Sequence, residues 1–290
     1  MNFGSVLRRI ALLALVSACA VRLTAQVNPA WLEPFPPHRI AGNLYYVGSA
    51  DLASYLVVTP KGLILINSSL VASVPMIRKS VEALGFRFTD IKILLISHAH
   101  YDHCAGSALV KQLTGTKYYV MDADVPVVES GGRADFQYGS DKTMGFPATK
   151  VDRVLHDGDT VRLGDAVLTA HLTAGHTKGT TTWTMDEAGA GRTLHVVIVG
   201  SPNVNPGYKL VGNKAYPQIA ADYARGFQVL KSLPCDVFLG AHGGYYGLAE
   251  KYVRWKRGDT DAFIDAAGYK SYIARRERAF EAELKQATIR

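Results

Sequence analysis

ISHAHYDHCAG, residues 96–106, gathers three histidines, an aspartate and a cysteine directly behind the apolar run IKILL at 91–95. That run is too short and too uniformly apolar for anything but a buried strand. The ligand-type side chains therefore cluster at the strand's C-terminal end. His98 and His100 are two residues apart, so in extended backbone both imidazoles face one cavity. Asp102 and His103 follow where the chain turns into a helix beginning near Ala105. Four such groups within six residues at a strand end form a metal-site pattern.

One short motif cannot close two metal shells, so further ligands must come from distant segments. His176 in TAGHTKGT is flanked by Gly175 and Gly179, which let the backbone bend and turn the ring inward. His242 ends the apolar run of FLGAHGG, with Gly243 and Gly244 behind it. The other four of the nine histidines, His38, His156, His171 and His195, read as surface or core residues. Cys104 adjoins a ligand position, but a residue beside His103 at a helix start points away from the site.

Outward from the motif, LYYVGSA, SYLVVTP and LILINSS between 40 and 70 read as consecutive antiparallel strands with a turn at Lys61-Gly62. VPMIRKSVEALGF repeats apolar residues at 74, 77, 81 and 84, a helical period closed by Gly85. After the motif come a helix at ALVKQLTG, a strand at KYYVMDA and a Gly-rich loop at 129–141. A meander follows from 153, with turns at Asp157-Gly158 and Gly164-Asp165. TTTWTMD, TLHVVIVG and DVFLGAH complete the strands, a helix spans roughly 218–233, and the last 30 residues are helical. Two β-rich stretches, each followed by helices, predict two packed sheets covered on both outer faces.

Composition bounds the rest. With 290 residues, 48% hydrophobic, 20% charged and 12 prolines, the chain can bury a full core, and no linker divides it. Residues 1–25 read as a signal peptide, with Arg8 and Arg9 ahead of the short apolar run IALLALVSACAV. Residues 26–290 then form a single domain. Cleavage fits Ala18-Cys19-Ala20 or a point after Ala25, while VSAC resembles a lipoprotein box. The expectation is a periplasmic protein, with a lipid anchor at Cys19 as the alternative. Removing residues 1–25 takes away three basic and no acidic residues, so the charge falls from +7 to +4. Scattered basic residues argue against nucleic acid as substrate, and no protein partner is implied. Cys104 and Cys235 read as free thiols.

The motif His98-Ala99-His100-Tyr101-Asp102-His103 is the H-x-H-x-D-H hallmark, and the chain resembles the metallo-β-lactamase superfamily. GLILINSS before the motif, GHTKGTTTW after it and GAHGG near the end extend the resemblance over essentially all of the mature chain. It implies an α/β (α+β) fold, the four-layer αββα sandwich, and two Zn2+ ions at one edge of it. The first zinc would take His98, His100 and His176, and the second Asp102, His103 and His242.

The superfamily hosts many hydrolases, so the fold does not name the reaction. Thioesterase and lactonase branches carry a bridging aspartate after the strand that here reads HVVIVGSPNVNPG, and the first two subclasses of class B β-lactamases carry a cysteine there. This chain has Ser201, which resembles the third subclass. That subclass implies hydrolysis of the amide of penicillins, cephalosporins and carbapenems by a dizinc-activated hydroxide, and hence antibiotic resistance. Asp102 would orient the nucleophile, alongside His100 in the catalytic set. Ser201, Asn203 and Gln137 are candidates to hold the substrate, and Asn67 is a candidate to support a ligand. The alternative is a related dizinc hydrolase, a lactonase or esterase. A non-catalytic zinc protein is disfavoured because structural zinc sites close their shells, whereas this ligand set leaves a position open.

Overall fold

The computed structural model describes residues 28–189 and 191–289. The signal peptide expected at 1–25 lies outside the described residues. Among those described, no helix is long and apolar enough to cross a membrane.

The chain opens with β1 (His38–Ala41), β2 (Leu44–Tyr46), β3 (Tyr55–Thr59) and β4 (Gly62–Ile66), then α1 (Val74–Ala83) and β5 (Ile91–Leu95). The motif begins α2 (Tyr101–Cys104), followed by α3 (Ser107–Thr114), β6 (Lys117–Met121), α4 (Val125–Glu129) and β7 (Arg153–Leu155). β8 (Thr160–Leu163), β9 (Ala166–Leu172), β10 (Thr181–Gly189) and β11 (Arg192–Val199) come next, then α5 (Ile219–Ser232) and β12 (Val237–Gly240). The chain ends in α6 (Gly243–Tyr246), α7 (Leu248–Lys256) and α8 (Ala266–Ile289).

Seven strands, β1 to β7, form one sheet in sequence order, and β12-β11-β10-β9-β8 form the second. Strand β4 shows how its sequence fixes the layers. Ile64 and Ile66 point into the core between the sheets, while Leu63 and Leu65 point to the outer face, where Val74, Ile77 and Val81 of α1 and Val110 of α3 cover them. This is the period-2 alternation of a strand buried on both faces. On the far side, Tyr223 and Phe227 of α5 and Tyr272 and Phe280 of α8 join the core of the second sheet. The result is four layers, helix-sheet-sheet-helix, as expected for this fold class.

One sequence expectation is corrected. Arg153–Leu155 does not start the meander. It pairs parallel with β6, Tyr119 opposite Arg153, and belongs to the first sheet. The Asp157-Gly158 turn is instead the crossing between sheets, where the Gly158 N–H bonds Ala170 O and Ala170 N–H bonds Asp159 O. A three-residue strand at a sheet edge carries too little periodicity to reveal which sheet it joins.

The sheets are also stitched near the motif. Thr181 N–H donates to Ser97 O at 2.7 Å, Ala53 N–H to Ala241 O at 3.0 Å and Gly243 N–H to Asp51 O at 2.6 Å. The Trp183 indole N–H donates to Ile96 O at 3.0 Å. At the opposite edge Glu187 of β10 reaches the β1–β2 turn and accepts from Asn43 N–H at 3.0 Å. Its Oε1 is buried without a partner. Burial pushes its pKa up to about 7.

The native state therefore holds a proton on Glu187 that the unfolded chain, with a glutamate pKa of about 4.3, releases as pH rises. Its contribution to stability is full below that value and lost as pH rises through 7. Glu187→Gln should flatten this dependence, gaining about 1 kcal/mol over the unsubstituted protein between pH 5 and pH 8 in urea unfolding. Parallel pH profiles for the two proteins would count against the assignment.

Candidate metal centre

The motif leaves β5 in extended backbone, with His100 at φ −98°, ψ 152°, and then enters the single turn α2. This places His98 and His100 before the turn and Asp102 and His103 within it. The loop after β4 supports the turn from below: Ser68 and Ser69 N–H groups both donate to His103 O at 3.1 Å. Asn67 and Ser69 adopt positive φ of 65° and 54° to do so. Asn67 Oδ1 accepts from the Ser97 N–H and hydroxyl, each at 2.8 Å. Asn67 thus fixes the backbone ahead of His98 rather than contacting a ligand ring.

His176 arrives from the loop after β9. Gly175 turns it inward at φ +133°, and a Cβ there would lie 2.5 Å from the Tyr223 ring. The His176 ring is oriented by Nδ1–H donating to Asn203 O at 2.8 Å, which leaves Nε2 free. His98, His100 and His176 form a near-equilateral triangle, with ring centroids 4.9, 4.6 and 4.7 Å apart. His242 follows β12, and its Nδ1 is held by Asp51 Oδ2 at 2.9 Å. Its Nε2 faces Asp102 Oδ2 at 3.6 Å, and that oxygen is 3.2 Å from His103 Nε2. The two groups meet at His98 and His103, whose rings are 4.2 Å apart.

The donor set fits metal. Both ring nitrogens of His98 and of His103 are buried with no hydrogen-bond partner. Orphaned polar atoms at this density are costly unless a cation takes them. Ligand atoms of His98, His100 and His176 lie within 4.8 Å of one another, as do those of His98, Asp102 and His103. Burial and the crowding of neighbouring rings push His98 and His176 well below the usual histidine range. Burial works to raise Asp102, but His103, His242 and His100 hold it well below the ordinary carboxylate value. Neutral imidazoles and an ionised carboxylate are the forms that bind metal.

The other histidines lie elsewhere. His38 is core, packed among Phe35, Tyr46, Tyr252, Trp255 and Phe263, and burial pushes its pKa down to about 4. His156 and His195 pair with Asp122 and Asp186 at the surface, and His171 bonds Thr184. Cys104 packs into the outer core with Val110 and Tyr118. Cys104 and Cys235 are both free.

Above the centre opens a cleft of about 370 Å³, walled by Trp31, Tyr101, Tyr138, Met144, Asn205 and Tyr245. Among the described residues no lysine or arginine lines it. Of the three residues read as substrate-binding, Asn203 lines the cleft. Ser201 is fully buried, its hydroxyl 3.2 Å from the Tyr245 hydroxyl, which also accepts from Asn203 Nδ2 at 2.8 Å. Ser201 reaches the cleft only through that tyrosine. Gln137 points across to the opposite flanking loop, its Nε2 3.5 Å from Gly207 O, and its neighbour Tyr138 takes the wall position.

The two loops flanking the cleft are bridged to each other. Asn205 Nδ2 donates to the Tyr138 hydroxyl at 3.1 Å. Phe136 packs edge-on against Tyr208 and Tyr216, at 5.1 and 5.0 Å. Sequence reading missed Asp51, Trp31 and Tyr245. A lone acid before a strand, and aromatics in a 3-10 turn (Trp31) and a single helical turn (Tyr245), sit in segments too short for periodicity to signal where they point.

The sequence profile of the metallo-β-lactamase superfamily matches residues 52–242. The native FEZ-1 metallo-β-lactamase from Legionella gormanii superposes with a TM-score of 0.88 at 57% identity, over 88% of this chain and 98% of that one. The class B3 di-zinc metallo-β-lactamase LRA-12 from an Alaskan soil metagenome gives 0.83 at 37% identity, over 88% and 96%. A probable metallo-hydrolase from Burkholderia pseudomallei is 28% identical over 47% of this chain, which spans only 45% of that relative.

His242 depends on Asp51 for its orientation, so Asp51→Ala should weaken metal binding at the Asp102/His103/His242 group by about 10- to 100-fold. Chelator competition on the apo-protein measures this. Two metal equivalents held with unchanged affinity would refute the role of Asp51.

Proposed function

Because this chain belongs to the metallo-β-lactamase superfamily, we propose that it is a class B β-lactamase of the third subclass, which hydrolyses the amide of β-lactam antibiotics with zinc. The observation that carries this reading is the 57% identity extending over 98% of the FEZ-1 chain. Two ions would be held, one by His98, His100 and His176, the other by Asp102, His103 and His242. When bound, zinc supplies Lewis-acid polarisation of the lactam carbonyl and lowers the pKa of a water from about 16 to near 7.

The chain's own residues do the positioning. Asp102, ionised and buried at the cleft floor, is an acceptor that orients the attacking water. Asn203, Asn205 and the hydroxyls of Tyr138 and Tyr245 present neutral hydrogen bonds to the substrate's carbonyl and carboxylate. Trp31, Tyr101 and Met144 offer apolar surface to its substituents. Recognition of an anionic substrate without a lysine or arginine in the wall leaves the metal ions as the main positive field. The leader-like residues 1–25 support export to the periplasm, where such an enzyme would meet its substrates and confer resistance.

Steady-state kinetics on a penicillin, a cephalosporin, a carbapenem and a homoserine lactone tests the reading. Turnover of the β-lactams, lost with EDTA and restored by zinc, is expected. Turnover of the lactone alone would replace it with the lactonase alternative. His100→Ala removes one ligand and should lower kcat/KM about a thousandfold, on the order of 4 kcal/mol.

A further inference from the structure

Asp124 is a buried carboxylate that the reaction does not use, at the end of the short 3-10 turn following β6. Its Oδ2 accepts from Ala99 N–H and from the Thr177 hydroxyl, both at 2.8 Å. Its Oδ1 accepts from Gly179 N–H at 2.9 Å. Ala99 lies between His98 and His100, and Thr177 follows His176. The first pair comes from the end of a strand in one sheet and the third ligand from a loop of the other. Gly179 sits so close that a Cβ would be 2.6 Å from Asp124 Cγ. The loop carrying His176 is therefore seated directly on the carboxylate.

We infer that Asp124 is a positioning residue for the three-histidine half of the centre, clamping the two ligand-bearing loops at the spacing one metal ion needs. It acts through shape and charge together. Three donors converge on two oxygens, so each loop is held by at least one bond to the same rigid group. All three donors are neutral, and among the described residues no cationic side chain pairs with this carboxylate. The negative charge behind the three imidazoles favours a cation in front of them. Asparagine would keep the size but turn an N–H2 group against a donor, breaking part of the clamp and removing the charge.

The inference rests on the zinc reading of the centre, and its test is zinc affinity rather than turnover. Zinc is titrated against a chromophoric chelator in two backgrounds: His242→Ala, which leaves the three-histidine group, and His176→Ala, which leaves the second group. Asp124→Asn should weaken zinc about 10- to 100-fold in the first background and less than about threefold in the second. Asp157→Asn, which alters another loop carboxylate, bonded to Leu172 N–H and Arg225, should leave both affinities unchanged. Equal losses in the two backgrounds, or no loss in either, overturn the proposal. Should Asp124→Asn fail to fold, Thr177→Val removes one bond of the clamp, and an unchanged affinity for it in the first background overturns the proposal equally. If the unsubstituted protein takes up no zinc, the metal reading itself fails.

Discussion

The seam between the two sheets is the constraint on which the centre depends. Ligands come from both sheets, and their spacing is fixed by the bonds that cross between them: Thr181 N–H to Ser97 O, Ala53 N–H to Ala241 O, and the Trp183 indole to Ile96 O. These bonds satisfy backbone groups that would otherwise be stranded in the interior. Their acceptors also lie one or two residues from His98 and His242. A site whose donors must be placed within a fraction of an ångström needs supports of this stiffness. The core between the sheets holds the layers together, and the seam converts that packing into ligand geometry.

Behind the histidine rings stands a second rank of carboxylates. Asp51 holds His242, and Asp124 joins the loops of the triangle. Asp135 uses one oxygen to fix its own turn through Gln137 and Tyr138 N–H, while the other lies 3.7 Å from His100 Nε2. Asp102 alone stands in the front rank. Each rear carboxylate sets a position and adds negative charge to a site built mostly from uncharged donors.

The fold was largely legible because the strands alternate or run apolar without interruption, and because Gly85, Gly158 and Gly164 sit at turns, with positive φ. The H-x-H-x-D-H spacing was legible for a related reason: strand parity alone decides that His98 and His100 share a cavity. What was not legible lies where neither period applies. Arg153–Leu155 was too short to declare its sheet. Ser201 and Gln137 were each close to a position that matters, but loop backbone has no fixed parity. The cleft wall fell to Tyr245 and Tyr138, residues far off in the chain or next door to the one expected. Asp51 and Asp124 are visible only once tertiary contacts bring His242 and Thr177 to them.

The bridge between the flanking loops has a consequence for how the cleft can change over generations. Phe136, Tyr138, Asn205 and Tyr208 touch across two segments some 70 residues apart in sequence. A substitution in either loop alters the packing surface that the other presents. Effects of paired changes across it are therefore non-additive, and a shift in the cleft's shape is reached by compensated steps in both loops rather than by independent ones. The same feature that preorganises the wall narrows the set of single mutations from which new selectivity can begin.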